Sequence, residues 1–156
     1  MLGFLVRIVL DTTVLISALR SEKGAASIVL GMLLEQRLVL LMDYRIACEY
    51  RDVALRPEHV MRSRFSYEEV LGIIDALETI ATEVDIEVRH RPLSSDPNDD
   101  LILDAAINGG CDVILTSNLR HIAGPAELFG IEAMDAGTFL TRMRERGLQW
   151  NRGKVT

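Results

Sequence analysis

Val6-Arg7-Ile8-Val9-Leu10-Asp11 is an almost unbroken apolar run that stops at an acid. It does not alternate, so it reads as a strand buried on both faces, the kind found inside parallel sheets. A second such run, Val113-Ile114-Leu115, passes into polar Thr116-Ser117-Asn118. Between the two lies an acid cluster, Asp96-Pro97-Asn98-Asp99-Asp100, with Asp104 one turn further on. Carboxylates placed where buried strands end form an oxygen-donor set suited to a hard divalent cation such as Mg²⁺ or Mn²⁺. Sites of that kind most often handle phosphate chemistry.

Working outward, strands alternate with helices. The first strand covers about residues 5–10 and a helix about 13–20. A turn at Ser21-Glu22-Lys23-Gly24 leads to a second helix ending near Gln36, then a strand at Leu38–Leu41. Asp43 is placed to cap a helix from 44 to about 55, limited by Pro57. Residues 56–65 form a loop or short helix. Ser66 with Glu69 fits a capping box for a helix reaching about Thr82. A short strand at Ile86–Val88 and a loop at Arg89–Ser95 follow. Asp96 and Pro97 open the next helix, and Gly109-Gly110 ends it. After the strand at 112–115, a loop through Gly124-Pro125 leads to a strand at Ile131–Ala133 and a last helix at Ala136–Arg146. One domain over 1–146 and a frayed tail at 147–156 are expected. The pattern predicts a three-layer α/β/α fold around a mostly parallel sheet of four or five strands. Ligands of such sheets bind beyond the carboxyl ends of the strands, where strand order reverses. If the first and fourth strands are neighbours, Asp11 and Asn118 converge there.

Composition sets outer limits. The chain has 156 residues, is 49% hydrophobic and carries a formal net charge of −6, so it can build a core but does not hold nucleic acid by overall charge. Its basic residues are almost all arginine, with lysine only at Lys23 and Lys154. Cys48 and Cys111 lack metal or redox spacing and read as reduced core residues. The opening apolar run is broken by Arg7 and stopped by Asp11, unlike a signal peptide. The run from Ile28 to Met42 is cut by Glu35-Gln36-Arg37 and cannot span a membrane. A cytoplasmic protein is expected.

Each candidate has a purely structural alternative. Asp11 could cap the helix that opens at Thr12 or Thr13. Asp99 and Asp100 lie in a first helical turn, which favours acids for its dipole alone. Asp100 and Asp104 share a face at i, i+4 and repel unless a cation intervenes. Glu49 falls at the rim of the stripe Ile46, Ala47, Tyr50, Val53, Ala54, where glutamates usually face water or pair with Arg45 or Arg51. Thr116, Ser117 and Asn118 could simply form a turn. His59, His90 and His121 are scattered over expected loops without zinc spacing. There is no nucleophile elbow and no Gly-rich phosphate loop.

Taken together, the motifs make the chain resemble PIN-domain proteins, the group that includes toxin nucleases of bacterial and archaeal toxin–antitoxin pairs. The likeness runs from about Arg7 to Met143. Val9 to Leu19 is similar to the family's opening strand and helix, which puts its first metal acid at Asp11. By resemblance the second acid is Glu49 and the third is Asp100, in Asp96-Pro97-Asn98-Asp99-Asp100 with Leu103 and Ala105-Ala106. Gly110 to Asn118 resembles the fourth motif. The helical insert between Glu49 and Asp96 resembles stand-alone toxin components. Two positions depart from the family pattern: Thr13 stands where Asn is usual, and Asn118 where Asp is frequent.

The resemblance implies a Mg²⁺- or Mn²⁺-dependent endoribonuclease. Asp11, Glu49 and Asp100 would be the metal acids, with Asp104, Thr116, Ser117 and Asn118 in support. Arg56, Arg62, Arg64 and Arg120 are the candidates for gripping RNA. A small antitoxin partner and a homodimer are likewise implied. Two rivals stay open. One is a PIN-like module that binds RNA or protein without cutting. The other is a phosphatase of the haloacid-dehalogenase type, which would want an acid where Thr13 stands and a lysine in the later motifs.

Overall fold

A computed structural model describes residues 5–91, 93–94 and 96–145. The expected tail at 147–156, Arg146 and Ser95 lie outside the described residues. Five strands form one all-parallel sheet in the order β3-β2-β1-β4-β5. They are β1 (Arg7–Leu10), β2 (Val39–Met42), β3 (Thr82–Glu83), β4 (Val113–Leu115) and β5 (Glu132–Met134). Eight helices among the described residues connect and flank them: α1 (Thr12–Arg20), α2 (Ala25–Leu34), α3 (Tyr44–Ala54), α4 (Pro57–Arg62), α5 (Tyr67–Ile80), α6 (Pro97–Gly109), α7 (Leu119–Glu127) and α8 (Ala136–Glu145).

The chain steps one way across the sheet from β1 to β3, then the other way from β3 to β5. Because such crossovers are right-handed, the reversal sends the α1–α5 segment to one face and α6–α7 to the other, giving the expected three layers. Ile8, Val9, Leu10, Val113, Ile114 and Leu115 are at most 1% exposed, as continuous apolar strands covered on both faces require. The reversal falls at β1, whose two neighbours are β2 and β4.

Local signals act as the sequence predicts at several joints. The Asp43 side chain accepts from Ile46 N at the start of α3. Ser66 and Glu69 form a reciprocal capping box on α5, and Asp96 accepts from Asn98 N ahead of Pro97 on α6. Gly110 ends α6 at φ +62°, a left-handed conformation that glycine adopts without steric cost.

Three expectations fail. No strand forms at 86–88; the side-chain amide of Asn108 takes that segment's backbone instead, accepting from Glu87 N and Val88 N and donating to Val88 O. The third strand is the two-residue β3, further upstream. Gly124-Pro125 is not a loop but part of α7, held by Ile122 and Ala126, a buried i, i+4 pair. Cys48 is exposed rather than in the core. Cys111 is part-buried; its thiol donates to Val113 O, and burial pushes it up to about 12.

Candidate functional site

β1 and β4 pair in register, Leu10 opposite Leu115, and the next backbone bond runs from Asp11 N to Leu115 O at 2.9 Å. Asp11 therefore stands at the point of strand reversal, beside the segment that carries Thr116 to Asn118. It occupies the N-cap position of α1, yet its side chain makes no cap hydrogen bond. Its Oδ2 instead accepts from Thr116 Oγ1 at 2.6 Å and Thr13 Oγ1 at 2.9 Å. Thr13 Oγ1 in turn accepts from Ser117 N at 3.2 Å. The hydroxyl that replaces the family's usual Asn thus ties the ends of both strands to the carboxylate.

Glu49 reaches the same place from α3. The adjacent Tyr50 is fully buried, and its hydroxyl donates to Leu10 O at 2.5 Å. That bond pins α3 to the end of β1, one residue before Asp11. Glu49 Oε2 accepts from Thr12 Oγ1 at 2.7 Å. The rim position inferred from periodicity is correct, but the arginines offered as partners are engaged elsewhere, Arg45 with Asp43 and Asp104, Arg51 with Asp75 and Glu78.

The third acid is where the structure departs most from expectation. A cavity of about 610 Å³ opens over the strand ends, lined by Asp11, Glu49, Asp96, Asp99, Ser117 and Asn118 among others. Asp100 is not among its lining residues. Its Oδ1 accepts from Ser94 N at 3.0 Å, and its Oδ2 lies 3.6 Å from Arg91 Nε. Asp104, with no exposed surface, accepts two bonds from Arg91 at 2.9 and 3.0 Å and one from Arg45 at 3.2 Å. The i, i+4 pair is thus held by intervening cations, as its repulsion requires, and those cations are arginines. Asp99, set aside in the sequence as a dipole acid, is the member that faces the cavity with Asp11 and Glu49. Asn118 Nδ2 donates to its carboxylate at 3.3 and 3.4 Å, and Ser94 Oγ at 3.4 Å.

Electrostatics separate the two sets. Burial, and then repulsion from Asp96 and Asp11, raise the Asp99 carboxyl above its ordinary value. Burial raises Glu49 likewise, opposed by the Thr12 hydrogen bond and reinforced by Asp11, Asp96 and Asp99. Asp104 is lowered: burial alone would raise it, but the Arg91 and Arg45 bonds and charges outweigh that. No ion pair among the described residues involves Asp11, Glu49, Asp96 or Asp99. Nor, among those residues, do three His, Cys, Asp or Glu side chains already close to hold a metal ion.

None of the four expected RNA-gripping arginines lines the cavity. Arg56 pairs with Asp52 at 2.9 Å, and Arg64 donates to Ala18 O and Ser27 Oγ. Arg62 and Arg120 are exposed. The basic residues that do line it are Arg20, at the end of α1, and His59, which lies in α4 rather than a loop. His90 is exposed and packs its ring against Phe129.

An all-parallel α/β sheet of order 3-2-1-4-5, with unpaired carboxylates beyond the strands at its reversal point, defines an acidic crevice protein of the doubly wound kind. The particular family follows from sequence: residues 7–120 match the PIN domain, and the chain belongs to that family. No protein of curated function matches it in sequence. Among solved structures it is similar in fold to a chain of VapBC2 from Rickettsia felis bound to a DNA fragment from its promoter. That match has 14% identity and a TM-score of 0.51, and covers 83% of this chain and 98% of the other. A chain of VapBC-1 from nontypeable Haemophilus influenzae matches with 14% identity and a TM-score of 0.49 over 84% and 98%.

Proposed function

We propose that the protein is a Mg²⁺- or Mn²⁺-dependent endoribonuclease and the toxin half of a toxin–antitoxin pair. One observation carries the chemistry. Asp11, Glu49 and Asp99 share a cavity, Asp11 and Asp99 buried and Glu49 part-buried, and none of them makes an ion pair among the described residues, whereas Asp104 beside them is neutralised by two arginines. Buried like charges facing one space are stabilised by a bound cation, and an all-oxygen set suits a hard one. Asp11, Glu49 and Asp99 would hold it, with Asp96 and Asn118 at the margin. Asp99 replaces Asp100 in this assignment because of where the side chains lie.

When bound, such an ion stabilises charge on a phosphodiester and lowers the pKa of an attacking water. The chain's own residues set up that chemistry. Thr13 and Thr116 donate to Asp11 and fix its carboxylate, Thr12 fixes Glu49, and Asn118 with Ser94 fixes Asp99. This outer ring of donors orients the acids as second partners orient metal ligands generally. Asn118 brings an N–H donor where an acid would add charge, which favours one cation over two.

RNA as substrate, a small antitoxin partner, a homodimer and a cytoplasmic setting are supported by the family, by the likeness in fold to a VapBC2 chain and by the motif resemblance. No described helix is long and apolar enough to cross a membrane. A PIN-like module that binds without cutting is the second reading, favoured by the absence of a closed three-ligand cluster among the described residues. The test is cleavage of a panel of single-stranded and structured RNAs with Mn²⁺, with Mg²⁺ and with EDTA, alongside Asp11→Asn. Cutting that needs metal and disappears in the variant is expected. Undiminished cutting by metal-stripped Asp11→Asn would refute the mechanism.

A further inference from the structure

The cavity is not acidic throughout. Arg20 and His59 lie in its lining with Asp11 and Glu49, and Arg20 Nη2 stands 2.9 Å from His59 Nδ1. A guanidinium can only donate, so Nδ1 accepts, and the ring proton sits on Nε2. His59 thereby orients the guanidinium without neutralising it and keeps an N–H donor of its own. Five other arginines make a contrast. Arg45, Arg51, Arg56 and Arg91 are each paired with a carboxylate, and Arg64 is tied to a backbone carbonyl. Arg20 is the cavity arginine held in place by a ring nitrogen rather than by a carboxylate.

Its position says what it meets. Asp11 stands at the N-cap position of α1, and Arg20 is the last of its nine residues, so their backbones are about 13 Å apart along the axis at 1.5 Å per residue. A cationic donor rooted at the far end of α1 from Asp11, yet lining the same cavity, suits a phosphate other than the one under attack. An anionic ligand is also the one least repelled at this end of an otherwise acidic cavity.

We propose that Arg20 and His59 form a flanking-phosphate subsite, which grips the RNA backbone beside the scissile linkage. The proposal rests on the nuclease reading above and adds where the strand is held. The guanidinium offers the paired N–H geometry that phosphate oxygens accept, and His59 Nε2–H offers one further donor.

The test is binding rather than turnover. The Asp11→Asn protein in Mg²⁺ is titrated into a short fluorescein-labelled single-stranded RNA, and anisotropy is followed over a range of salt. Adding Arg20→Ala is expected to raise Kd about tenfold and to lower the magnitude of the log Kd against log salt slope by about 0.7, the signature of one lost phosphate contact on a single strand. Arg20→Lys, which keeps the charge but not the fork, should recover part of the affinity. His59→Ala should weaken binding less than Arg20→Ala. RNAs with a single uncharged methylphosphonate walked along the strand should show one flanking position where Arg20→Ala no longer matters. Thermal unfolding of each variant controls for folding. Binding by Asp11→Asn that Arg20→Ala leaves unchanged, slope included, overturns the subsite alone. Failure of both wild-type and Asp11→Asn proteins to bind any RNA overturns the nuclease reading with it.

Discussion

Two aspartates five residues apart on α6 should respond oppositely to the same substitution. Asp104→Asn removes a carboxylate with no exposed surface and three guanidinium bonds, two from Arg91 and one from Arg45. Breaking a buried ion pair costs about 3–5 kcal/mol. The low end applies here, because the arginine side chains are 42% and 28% exposed and screening by water reduces what they contribute. Each arginine also keeps a second acid, Arg45 with Asp43 at 2.8 Å and Arg91 with Asp100 at 3.6 Å. The expected loss is about 3 kcal/mol, or roughly 6–12 °C in Tm for a chain of this size. Asp99→Asn removes a carboxylate whose charge is disfavoured by burial and by Asp96 and Asp11, so it should hold or raise Tm in EDTA at neutral pH. The pH dependence separates them further. Asp104's folded pKa is lowered, so its contribution is present above the ordinary carboxylate range and disappears as pH falls through the folded value. Asp99's folded pKa is raised, so its penalty is absent below the unfolded value and complete above the folded one. The gap between the variants should therefore be widest near neutrality and close in acid. Thermal and urea unfolding in EDTA across that range read it directly. Equal destabilisation by both substitutions at neutral pH would refute the division into a structural and a functional acid.

Mn²⁺ or Mg²⁺ should raise Tm of the metal-free protein, by about 2.7 kcal/mol at a hundredfold excess over Kd, roughly 5–10 °C; the shift should vanish in Glu49→Gln, whose own Tm without metal should be no lower than wild type. Tyr50→Phe should cost about 1–3 kcal/mol, since it strips Leu10 O of a buried donor, and should reduce cleavage at temperatures where the protein remains folded, because α3 loses its tie to the end of β1. Gly109→Ala should destabilise by about 1–3 kcal/mol, as a Cβ there would meet Val84 Cγ2 at 2.9 Å and Leu41 Cδ1 at 3.1 Å; urea midpoints measure both losses.

What could be read along the chain was whatever local pattern determines. The unbroken apolar runs at 6–10 and 113–115 imply buried parallel strands, and a parallel sheet with a strand reversal places Asp11 at its crevice without any knowledge of side-chain contacts. Glu49 was legible only as a rim position on an amphipathic helix, where glutamates usually face water; its reading as a second acid came from the family resemblance. Asp99 against Asp100 was not. Both stand in the first turn of one helix, about 100° apart around its axis, and local propensity accepts an acid at either. Which one faces the cavity depends on which one finds a cation. The cations come from Arg91, thirteen residues before Asp104, and Arg45, fifty-nine before it, through a loop and a helix start whose meeting is a property of the whole fold. Asp100 and Asp104 at i, i+4 did carry a signal, since their repulsion demands a positive partner, but sequence cannot distinguish an arginine from a metal ion as that partner. Arg20 and His59 were hidden more thoroughly. They are separated by thirty-nine residues, and nothing in either local pattern marks them as a pair. A loop reading of Gly124-Pro125 failed by the converse mechanism: two breakers outvoted the helix locally, while the buried Ile122 and Ala126 decided it through packing that only the tertiary structure supplies. The residues whose surroundings sequence misjudged are thus those whose charge or conformation is settled by distant partners, and the Asp104 and Asp99 substitutions measure that settlement directly.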